Sequence, residues 1–306
     1  MKLSKKEFCP ICGQSNYQPL KNGLLKCCTC GVSLSPQVWN EGENKACEDE
    51  WFENKPSHET VWLKSFQFLN NRRTWKRLQQ HLHSGMSVLE IGVGSGSLLR
   101  YLRDRGLRVE GCDLAKSICE NIRKTDGIPM YNCSVREIND NLLFDGIVMN
   151  HVLEHVSNPV QFLKDVRCHI ATKGCVHIAV PNVTSWEAML SGWCSYEPYH
   201  LIYFSPGTLR RAVEESGFEV LSIATYDSFS GWFLAVLRTL LRTNKKNAGE
   251  RFKQRENVHL SWVGHTYHLA MVLSGVITWP LRLFQEIINR GDEVVLIAQK
   301  LERKAI

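Results

Sequence analysis

The sequence predicts an α/β protein in which helices cover both faces of a mostly parallel sheet and a small cysteine-bearing module comes first. From Met86 onward, short apolar runs alternate with helical patterns, which is typical of strand–helix–strand units with right-handed crossovers. Two Cys-x-x-Cys pairs lie within the first 30 residues. A long apolar segment that such a sheet does not need comes before its last strand, which indicates an insertion.

Length and composition limit the possible classes. The 306 residues allow one large core and a small additional module. The 37 basic and 31 acidic residues leave a net charge of +6, which suits an anionic or membrane-facing partner but does not require nucleic acid, so we do not expect a nucleic-acid partner. The stretch "MKLSKKEFCPICG" lacks the apolar run of a signal peptide, so we expect a cytoplasmic location. In a reducing compartment, clustered cysteines indicate metal ligands.

Residues 1–35 are predicted to form a zinc ribbon. Fourteen residues separate the pair Cys9 and Cys12 from the pair Cys27 and Cys30, and four thiolates at this spacing complete a closed tetrahedral Zn²⁺ site with a structural role. Some such ribbons bind nucleic acid and others dock on an adjacent domain. The stretch "GQSNYQPLKNGLLK" presents no dense basic face, which favours docking.

Residues 36–83 are predicted to be a linker followed by a helix. The composition is polar and acidic from Pro36 to Pro56, as expected for a linker. Apolar residues then recur at spacings of three, four or their sums from Thr60 to His83, namely at Trp62, Phe66, Leu69, Leu78 and Leu82. The intervening Arg72, Arg73, Lys76 and Arg77 are expected to form a solvated face.

Residues 84–306 are predicted to form the α/β domain. Its first strands are expected at Ser87–Ile91, Arg108–Cys112, Met130–Cys133, Gly146–Asn150 and Val176–Val180, and later strands at Glu219–Tyr226 and Glu293–Lys300. Helices are expected at Ser97–Arg105, Ala115–Arg123, Pro159–Ile170 and Pro206–Ser216. In a sheet of this kind, ligands bind at the carboxyl ends of the strands.

The first predicted strand ends in a glycine-rich turn, "VLEIGVGSGS". Its glycines are Gly92, Gly94 and Gly96, and Ser97 stands where a dinucleotide fingerprint needs its third glycine. The turn also lacks the lysine of a P-loop. Glu90 lies two residues before the first glycine, and its carboxylate suits a ligand with an ammonium and a sulfonium group, such as S-adenosylmethionine.

The stretches "VLEIGVGSGSLLRYL", "VEGCDLAKS" and "FDGIVMNHVLEHVSNPVQFLKDV" together resemble the class I S-adenosylmethionine-dependent methyltransferases. The likeness is greatest to the branch of ubiquinone-biosynthesis O-methyltransferases and other small-molecule methyltransferases, and it covers about Met86 to Tyr226. The final "GDEVVLIAQK" looks like the last strand of this family, which inserts antiparallel. The resemblance implies a Rossmann-like seven-stranded sheet, mostly parallel, with a helical hydrophobic insertion at residues 229–290.

The resemblance also implies roles for individual residues. Glu90 and the glycine turn would hold the methionine part of S-adenosylmethionine, and Asp113 would accept its ribose hydroxyls. The family often has an acidic residue for the adenine amino group where this chain has Ser134, so adenine would rest on Ser134 and Val135. Asn150, at the end of the fourth strand, completes the expected cofactor site. A non-catalytic module that only binds the cofactor would keep the same residues.

Two histidines are candidates for the base that methyl transfer to a hydroxyl needs. His151 follows the fourth strand and is the first candidate. His155 could instead cap the next helix, and His151, Glu154 and His155 together could hold a divalent cation, as the related "EVLEH" motif does in ubiquinone-type enzymes. His200 is the alternative base, in a loop where Tyr196, Tyr199 and Tyr203 would stack on a ring or sugar or form an ordinary packed loop.

The acceptor and the insertion remain open to two interpretations each. The chain lacks the motifs of amine and cytosine-carbon methyltransferases, so we expect an oxygen or carbon of a small molecule, lipid-linked or saccharide; the alternative is RNA gripped by the ribbon and the basic helix face. In the insertion, a basic segment at residues 242–255 separates apolar Phe229–Leu241 from Asn257–Leu281, which has no Asp, Glu, Lys or Arg. The insertion would lie peripherally on a membrane surface or cover the active site.

Overall fold

The computed structural model of this protein describes residues 8–20, 22–35, 61–197, 199–228, 231–241 and 262–301, without the side chains of 61–63 and 262–269. Its central sheet has seven strands in the spatial order β10-β11-β8-β7-β4-β5-β6. Their bounds are β4 Ser87–Ile91, β5 Arg108–Cys112, β6 Met130–Tyr131, β7 Phe144–Asn150, β8 Ile170–Pro181, β10 Phe218–Tyr226 and β11 Glu293–Lys300. The predicted Rossmann-like sheet, mostly parallel with one antiparallel strand, is confirmed.

Helices connect these strands as the alternating pattern predicted. They are α1 Val61–Leu78, α2 Ser97–Arg103, α3 Lys116–Asp126, α4 Pro159–Cys168 and α5 Pro206–Glu215. A core of buried apolar side chains from α2, α3, β4, β5 and β7 lies between the helices and the sheet. This packing shields the parallel strands from water, as a parallel sheet requires.

Several predicted bounds were wrong. The helix expected at 60–83 ends at Leu78, and Leu69 is 47% exposed, so only the carboxyl-terminal part of the predicted apolar stripe packs on the core. Arg72, Arg73 and Lys76 are exposed, as expected. The fifth strand begins at Ile170 rather than Val176, because its pairing with β7 extends to Phe144 across an irregularity in register that the sequence does not reveal.

Within the described residues, three helices lie between β10 and β11, where the insertion was predicted. They are α6 Gly231–Leu240, α7 Trp262–Ile277 and α8 Trp279–Ile287. α6 packs against α7, and α7 against α8. The basic segment 242–255, together with Phe229 and Ser230, lies outside the described residues. Among the helices of the described ranges, none has both the length and the apolar character needed to cross a membrane.

A second, four-stranded sheet contains the amino-terminal module. Its strands follow the order β1 Tyr17–Pro19, β2 Leu25–Cys27, β3 Ser33–Leu34 and β9 Ile202–Tyr203. β9 comes from the loop after β8 and pairs antiparallel with β3, placing Leu34 opposite Ile202. No local pattern predicted this two-residue strand, because its pairing joins segments far apart in the chain.

The chain divides into two compact units. One unit comprises residues 1–40, 180–209 and 223–295, and it contains the four-stranded sheet and the helices α6 to α8. The other comprises residues 41–179, 210–222 and 296–306, and it contains the glycine turn and the ends of β4, β5, β6 and β7.

Candidate functional site

The sheet has a topological switch point beside β4. The chain continues from β4 to β5 and β6 on one side, then returns to form β7 on the other side, and β4 pairs in parallel with both β5 and β7. Ligands of open α/β sheets bind at the carboxyl ends of the strands at such a point. Glu90, Asp113 and Asn150 stand at or directly after these strand ends, so the structure brings the predicted residues to one edge of the sheet.

The glycine turn after β4 is left-handed at three positions. The φ angles of Gly92, Gly94 and Gly96 are 73°, 56° and 72°, a region that L side chains rarely adopt. A Cβ on Gly92 would also lie 2.5 Å from the Cγ2 of Val152, whereas a Cβ on Gly94 would meet no atom within 4 Å. The turn is therefore closely packed at Gly92 and open at Gly94, where a ligand can approach the backbone.

We expect the variant Gly94→Ala to separate folding from ligand binding. The positive φ should cost about 1–2 kcal/mol of stability, which a thermal melt measures as a modest decrease in Tm. Binding of S-adenosylmethionine should fall by at least ~10-fold, because the new methyl group occupies the open space at the turn. Gly207→Ala is the control, since Gly207 has equally open surroundings without a positive φ. Unchanged cofactor affinity in Gly94→Ala would show that the ligand does not approach this residue.

Glu90 is a buried carboxyl group beside this turn. Its side chain is 4% exposed, and Oε2 has no hydrogen-bond partner within the described part of the chain. Burial and, to a smaller extent, the nearby Asp113 raise the pKa of Glu90 well above its ordinary value of 4.5, against opposing contributions from the Leu99 backbone and Arg100. A cationic ligand group would favour the ionised carboxylate again, which makes Glu90 a site for a positive charge.

Asp113 holds the glycine turn in place. Its Oδ2 accepts hydrogen bonds from the backbone N–H groups of Val93 at 2.9 Å and Gly94 at 3.4 Å, and its Oδ1 accepts one from Ala115 at 2.9 Å. This carboxylate therefore preorganises the turn, a role that sequence reasoning missed. An Asp two residues before Ala115 at a helix start is a capping signal that could have indicated it.

Two further predicted cofactor residues, Ser134 and Asn150, have buried side-chain oxygen atoms. Ser134 forms a capping box with Glu137: its backbone N–H donates to Glu137 Oε2 at 2.7 Å, and its side chain faces the Glu137 N–H. Asn150 Oδ1 is buried without a partner among the described residues. Glu90 Oε2 and Asn150 Oδ1, at the ends of the paired strands β4 and β7, thus have no partner within the described residues. Such groups are rare in folded proteins and call for a bound partner.

The predicted Val135 has a different environment. Its side chain is buried, and its backbone carbonyl lies 3.1 Å from the Nε2 of His169. This carbonyl is already engaged, so any contact of Val135 with adenine would use its N–H group.

His151 and Glu154 form a pair after β7. His151 Nδ1 lies 3.3 Å from Glu154 Oε1, and the imidazole side chain is 53% exposed whereas the carboxylate is 1% exposed. His151 has a φ of 56°, uncommon for a residue other than glycine, and its N–H donates to the Ala179 carbonyl at 2.9 Å. Such backbone strain is concentrated at functional sites. A buried carboxylate behind an exposed imidazole can orient that imidazole for proton transfer.

One interpretation of the sequence made His155 the cap of the following helix, and this interpretation is wrong. Leu153–His155 forms a short 3-10 turn, and the cap of α4 is Asn158, whose Oδ1 accepts the N–H of Gln161 at 3.1 Å. Glu154 and His155 each offer a ligand atom, and the two atoms lie within 4.8 Å of each other. A divalent cation at His151, Glu154 and His155 stays a prediction.

His200, the alternative base, lies in the loop after β8 and is buried. Its Nδ1 is 2.8 Å from the Ser195 carbonyl, which can only accept, so Nδ1 carries the hydrogen. Tyr196 and Tyr203 are also buried, and Tyr196 accepts a hydrogen bond from Asn22 at 2.8 Å. Of the two interpretations of this loop, the packed one describes Tyr196 and Tyr203, which are buried within this unit.

The four ribbon cysteines are placed as a zinc site requires. The Sγ atoms of Cys9 and Cys30 are 3.5 Å apart, those of Cys12 and Cys27 are 3.6 Å apart, and all four lie within 4.8 Å of one another. Zn–S bonds of about 2.3 Å in a tetrahedron imply S···S distances of about 3.8 Å. The donor set and its spacing thus fit Zn²⁺, whereas the neighbouring Cys28 is exposed.

The electrostatics of Cys27 also suit a metal ligand. Burial acts to raise the pKa of its thiol, but backbone hydrogen bonds at Cys30 and Thr29 and contacts with the other cysteines lower the pKa to about 7. The thiolate is the form that binds metal.

The ribbon docks on the loop that contains Tyr196, as the sequence favoured. Leu24 packs with Trp193, Tyr196 and Tyr203, and the Ser35 N–H donates to the Leu201 carbonyl at 2.9 Å. This contact complements the β3–β9 pairing, so the ribbon is part of the unit's own core.

Comparison with known proteins agrees with this fold. The sequence profile of the methyltransferase-domain family matches residues 63–223, more than half of the chain. The chain belongs to this family. The mitochondrial ubiquinone biosynthesis O-methyltransferase of Rattus norvegicus is 27% identical over 174 residues, which cover 49% of this chain and 50% of that protein. The ubiquinone biosynthesis O-methyltransferase of Rickettsia typhi is 30% identical over 114 residues, covering 36% and 46%.

This methyltransferase domain therefore spans about half the length of those curated relatives. Among solved structures, a SAM-dependent methyltransferase from Archaeoglobus fulgidus superposes with a TM-score of 0.50 at 19% identity, over 76% of this chain and 94% of that one. At this identity the similarity supports the fold alone.

Proposed function

We propose that the protein transfers a methyl group from S-adenosylmethionine to an oxygen or carbon of a small-molecule acceptor, lipid-linked or saccharide. The observation that carries this proposal is the pair of buried oxygens on Glu90 and Asn150, which have no partner within the described residues and lie at the switch point of a methyltransferase-family sheet. Both stand at the ends of paired strands, and both can accept the donor groups that S-adenosylmethionine presents.

The residues of this edge would bind the cofactor as follows. Glu90 would accept the ammonium group, Gly94 would admit the ligand to the backbone, and Asp113, which holds the turn in place, would accept the ribose hydroxyls. Ser134 Oγ would meet the adenine. The bound cofactor supplies a methyl group on a positively charged sulfur, which is already activated for in-line displacement. The protein therefore needs only to align the acceptor and remove its proton.

His151 would remove that proton when the acceptor is a hydroxyl. His151 Nδ1 lies 3.3 Å from Glu154 Oε1, and the imidazole side chain is 53% exposed, so an acceptor hydroxyl can approach the ring. Glu154 would stabilise the imidazolium that forms, so its role is positioning. His200, whose Nδ1 is occupied by the Ser195 carbonyl, would offer Nε2 as the alternative base.

The chemical class of the acceptor rests on two arguments. The curated relatives are O-methyltransferases of ubiquinone biosynthesis by name, which favours an oxygen acceptor here. The insertion pairs apolar stretches with a basic segment, which favours an acceptor carried by a lipid and a chain that meets the inner face of the membrane peripherally.

The proposal is tested by supplying methyl-labelled S-adenosylmethionine and a whole-cell extract to the purified protein, followed by partition of the products. We expect label in the organic fraction for a lipid-linked acceptor, or in the small aqueous fraction for a free saccharide. Label in RNA would overturn the choice of acceptor, and cofactor binding without label in any fraction would identify a non-catalytic module.

We expect His151→Ala to lower kcat by about 10²–10⁴-fold while leaving the affinity for S-adenosylmethionine unchanged, because it removes the base but no cofactor contact. His83→Ala is the control, because His83 is an exposed histidine outside the candidate site. The measurement is steady-state methyl transfer to the acceptor found by partition, with cofactor affinity from calorimetry. Full activity in His151→Ala together with loss in His200→Ala would assign the base to His200.

The same assay decides whether a divalent cation binds at His151, Glu154 and His155. Dialysis against a chelator weaker than the ribbon site should lower activity, and added Mg²⁺ or Mn²⁺ should restore it, if the cation takes part. Full activity after dialysis, with the zinc content unchanged, would remove the cation from the proposal.

A further inference from the structure

The helix α8 has its polar and apolar faces reversed relative to an ordinary surface helix. Gln285 and Arg282 are buried, at 0% and 5% exposure, whereas Trp279 is 59% and Ile287 is 77% exposed. A surface helix normally turns its apolar stripe toward the core and its polar side toward water. Because of this reversal, the outward face of α8 suits apolar surroundings better than water.

Hydrogen bonds fix the inward face of α8. Gln285 Oε1 accepts from Trp232 Nε1 at 2.7 Å, and Gln285 Nε2 donates to Glu187 Oε2 at 3.0 Å. Arg282 Nη2 donates to the Gly275 carbonyl at 2.7 Å. Rotating the helix about its axis to bury its apolar side would break these hydrogen bonds. The bonds therefore keep the apolar side outward.

The acid that Gln285 contacts is largely uncharged, whereas Arg282 on the same buried face keeps its positive charge. Burial, with further contributions from Asp227 and Asp292, raises the pKa of Glu187 to about 8, so this carboxyl is mostly protonated near pH 7. An amide bonded to a neutral acid is much cheaper to bury than an ion pair.

The apolar side continues into the end of α7. The Thr278 N–H donates to the Ser274 carbonyl at 2.8 Å, and the Arg282 N–H to the Thr278 carbonyl at 2.9 Å, so the helical hydrogen bonding continues between α7 and α8. We define the outer stripe as six side chains that are each at least 42% exposed: Val276, Ile277, Trp279, Leu283, Phe284 and Ile287. Phe284 also contacts the ring of Trp186, at a centroid distance of 6.0 Å. Contiguous exposed apolar surface of this kind marks an interaction site.

We propose that the outer stripe docks on an anionic lipid surface. The six side chains of the outer stripe carry no charge, and the indole N–H of Trp279 is their one hydrogen-bond donor. A protein interface carries about one hydrogen bond per 100–200 Å², whereas lipid acyl chains need none. Of the possible occupants, a bilayer therefore fits the stripe best. The segment that joins α6 to α7 has six basic residues and one acidic residue at 242–255, which complements anionic headgroups. A tryptophan within the apolar face is typical of an interfacial helix. The inference rests on the proposed lipid-linked acceptor, for which it names the partner surface.

The test is co-sedimentation of the full chain with sucrose-loaded vesicles of phosphatidylcholine, with and without phosphatidylglycerol. We expect the parent to sediment with the anionic vesicles and the double variant Phe284→Gln, Ile287→Gln to partition at least ~10-fold more weakly. Leu143→Gln with Leu221→Gln is the matched control, because both leucines are exposed but lie outside the outer stripe. Thermal melts check that each variant is folded.

Other outcomes would overturn the proposal. If the parent stays in the supernatant with all vesicles, the stripe does not dock on lipid. If the parent is then a dimer and the double variant is a monomer, a second copy of the chain covers the stripe. Equal sedimentation of parent and double variant would place the lipid contact elsewhere. Methyl transfer from labelled S-adenosylmethionine to a whole-cell extract is measured in parallel. Absence of label from every fraction with docking intact refutes the proposed function alone, and label without docking refutes only this inference.

Discussion

Glu90→Gln should bind S-adenosylmethionine about 100-fold more weakly than the parent, measured by calorimetry near neutral pH. The substitution keeps the shape of the side chain but removes the charge that would meet the ligand ammonium, and a hydrogen bond between charged groups contributes about 1.5–3 kcal/mol. Glu120→Gln is the matched control, since Glu120 is an exposed residue of α3. Undiminished affinity in Glu90→Gln would mean that the ammonium binds elsewhere.

The same variant should change the pH dependence of stability without ligand. Because burial and Asp113 raise the pKa of Glu90 above 4.5, the folded protein holds a proton that the unfolded chain releases above that pH. Stability is therefore lost as the pH rises from the ordinary pKa through the raised one. Glu90→Gln removes this loss, so the ligand-free variant should be as stable as the parent at acid pH and more stable at neutral pH.

Thermal melts of the ligand-free proteins across this pH range measure the effect. A parent and variant whose Tm values differ equally at every pH would contradict a raised pKa at Glu90. If Glu90→Gln gains stability and loses cofactor binding, the carboxyl group of Glu90 serves the ligand and lowers the stability of the fold.

Cys27→Ser should abolish the zinc site and unfold the ribbon. Cys27 is fully buried, and a structural Zn²⁺ contributes about 10–16 kcal/mol of apparent binding free energy that is also folding free energy for so small a module. The parent is expected to purify with about one Zn²⁺ per chain and the variant with almost none, by elemental analysis. Cys28→Ser is the control one residue away, because the Cys28 side chain is exposed and makes no part of the cluster.

Loss of the ribbon should also loosen the loop on which it docks. Without β3, the strand β9 loses its partner, and Tyr196 and Trp193 lose their packing against Leu24. Limited proteolysis should therefore cleave Cys27→Ser within both the ribbon and residues 183–204, and Cys28→Ser only as the parent. A variant that keeps its zinc, or a parent without zinc that resists protease, would contradict a metal-folded ribbon.

Local patterns were sufficient for much of the fold and for the candidate cofactor site. β4 and β5 have the predicted bounds, because a glycine follows β4 directly and an Asp follows β5 directly. Gly92, Gly94 and Gly96 form the predicted turn after β4, where all three have positive φ angles. The Cys-x-x-Cys pairs likewise predicted a cluster, because each pair carries its own tight turn.

The partners of individual side chains could not be predicted in the same way. Tyr196 looked available for a substrate, yet it packs against the ribbon, because the β3–β9 pairing brings together segments about 170 residues apart. Asp113 appeared to be only a ribose acceptor, yet it also fixes the turn. Both depend on contacts distant in sequence, which leave no local periodicity.

What the sequence by itself determined is the order of strands and helices, the glycine turn with Glu90, and the four-cysteine cluster, because all of these follow from spacing along the chain. Only the tertiary structure decided which oxygens are buried without partners and which way α8 faces. The composition of α8 alone would bury Phe284 and Ile287. The hydrogen bonds of Gln285 to Trp232 and Glu187 turn them outward, since a buried amide must be satisfied by groups that only the fold assembles.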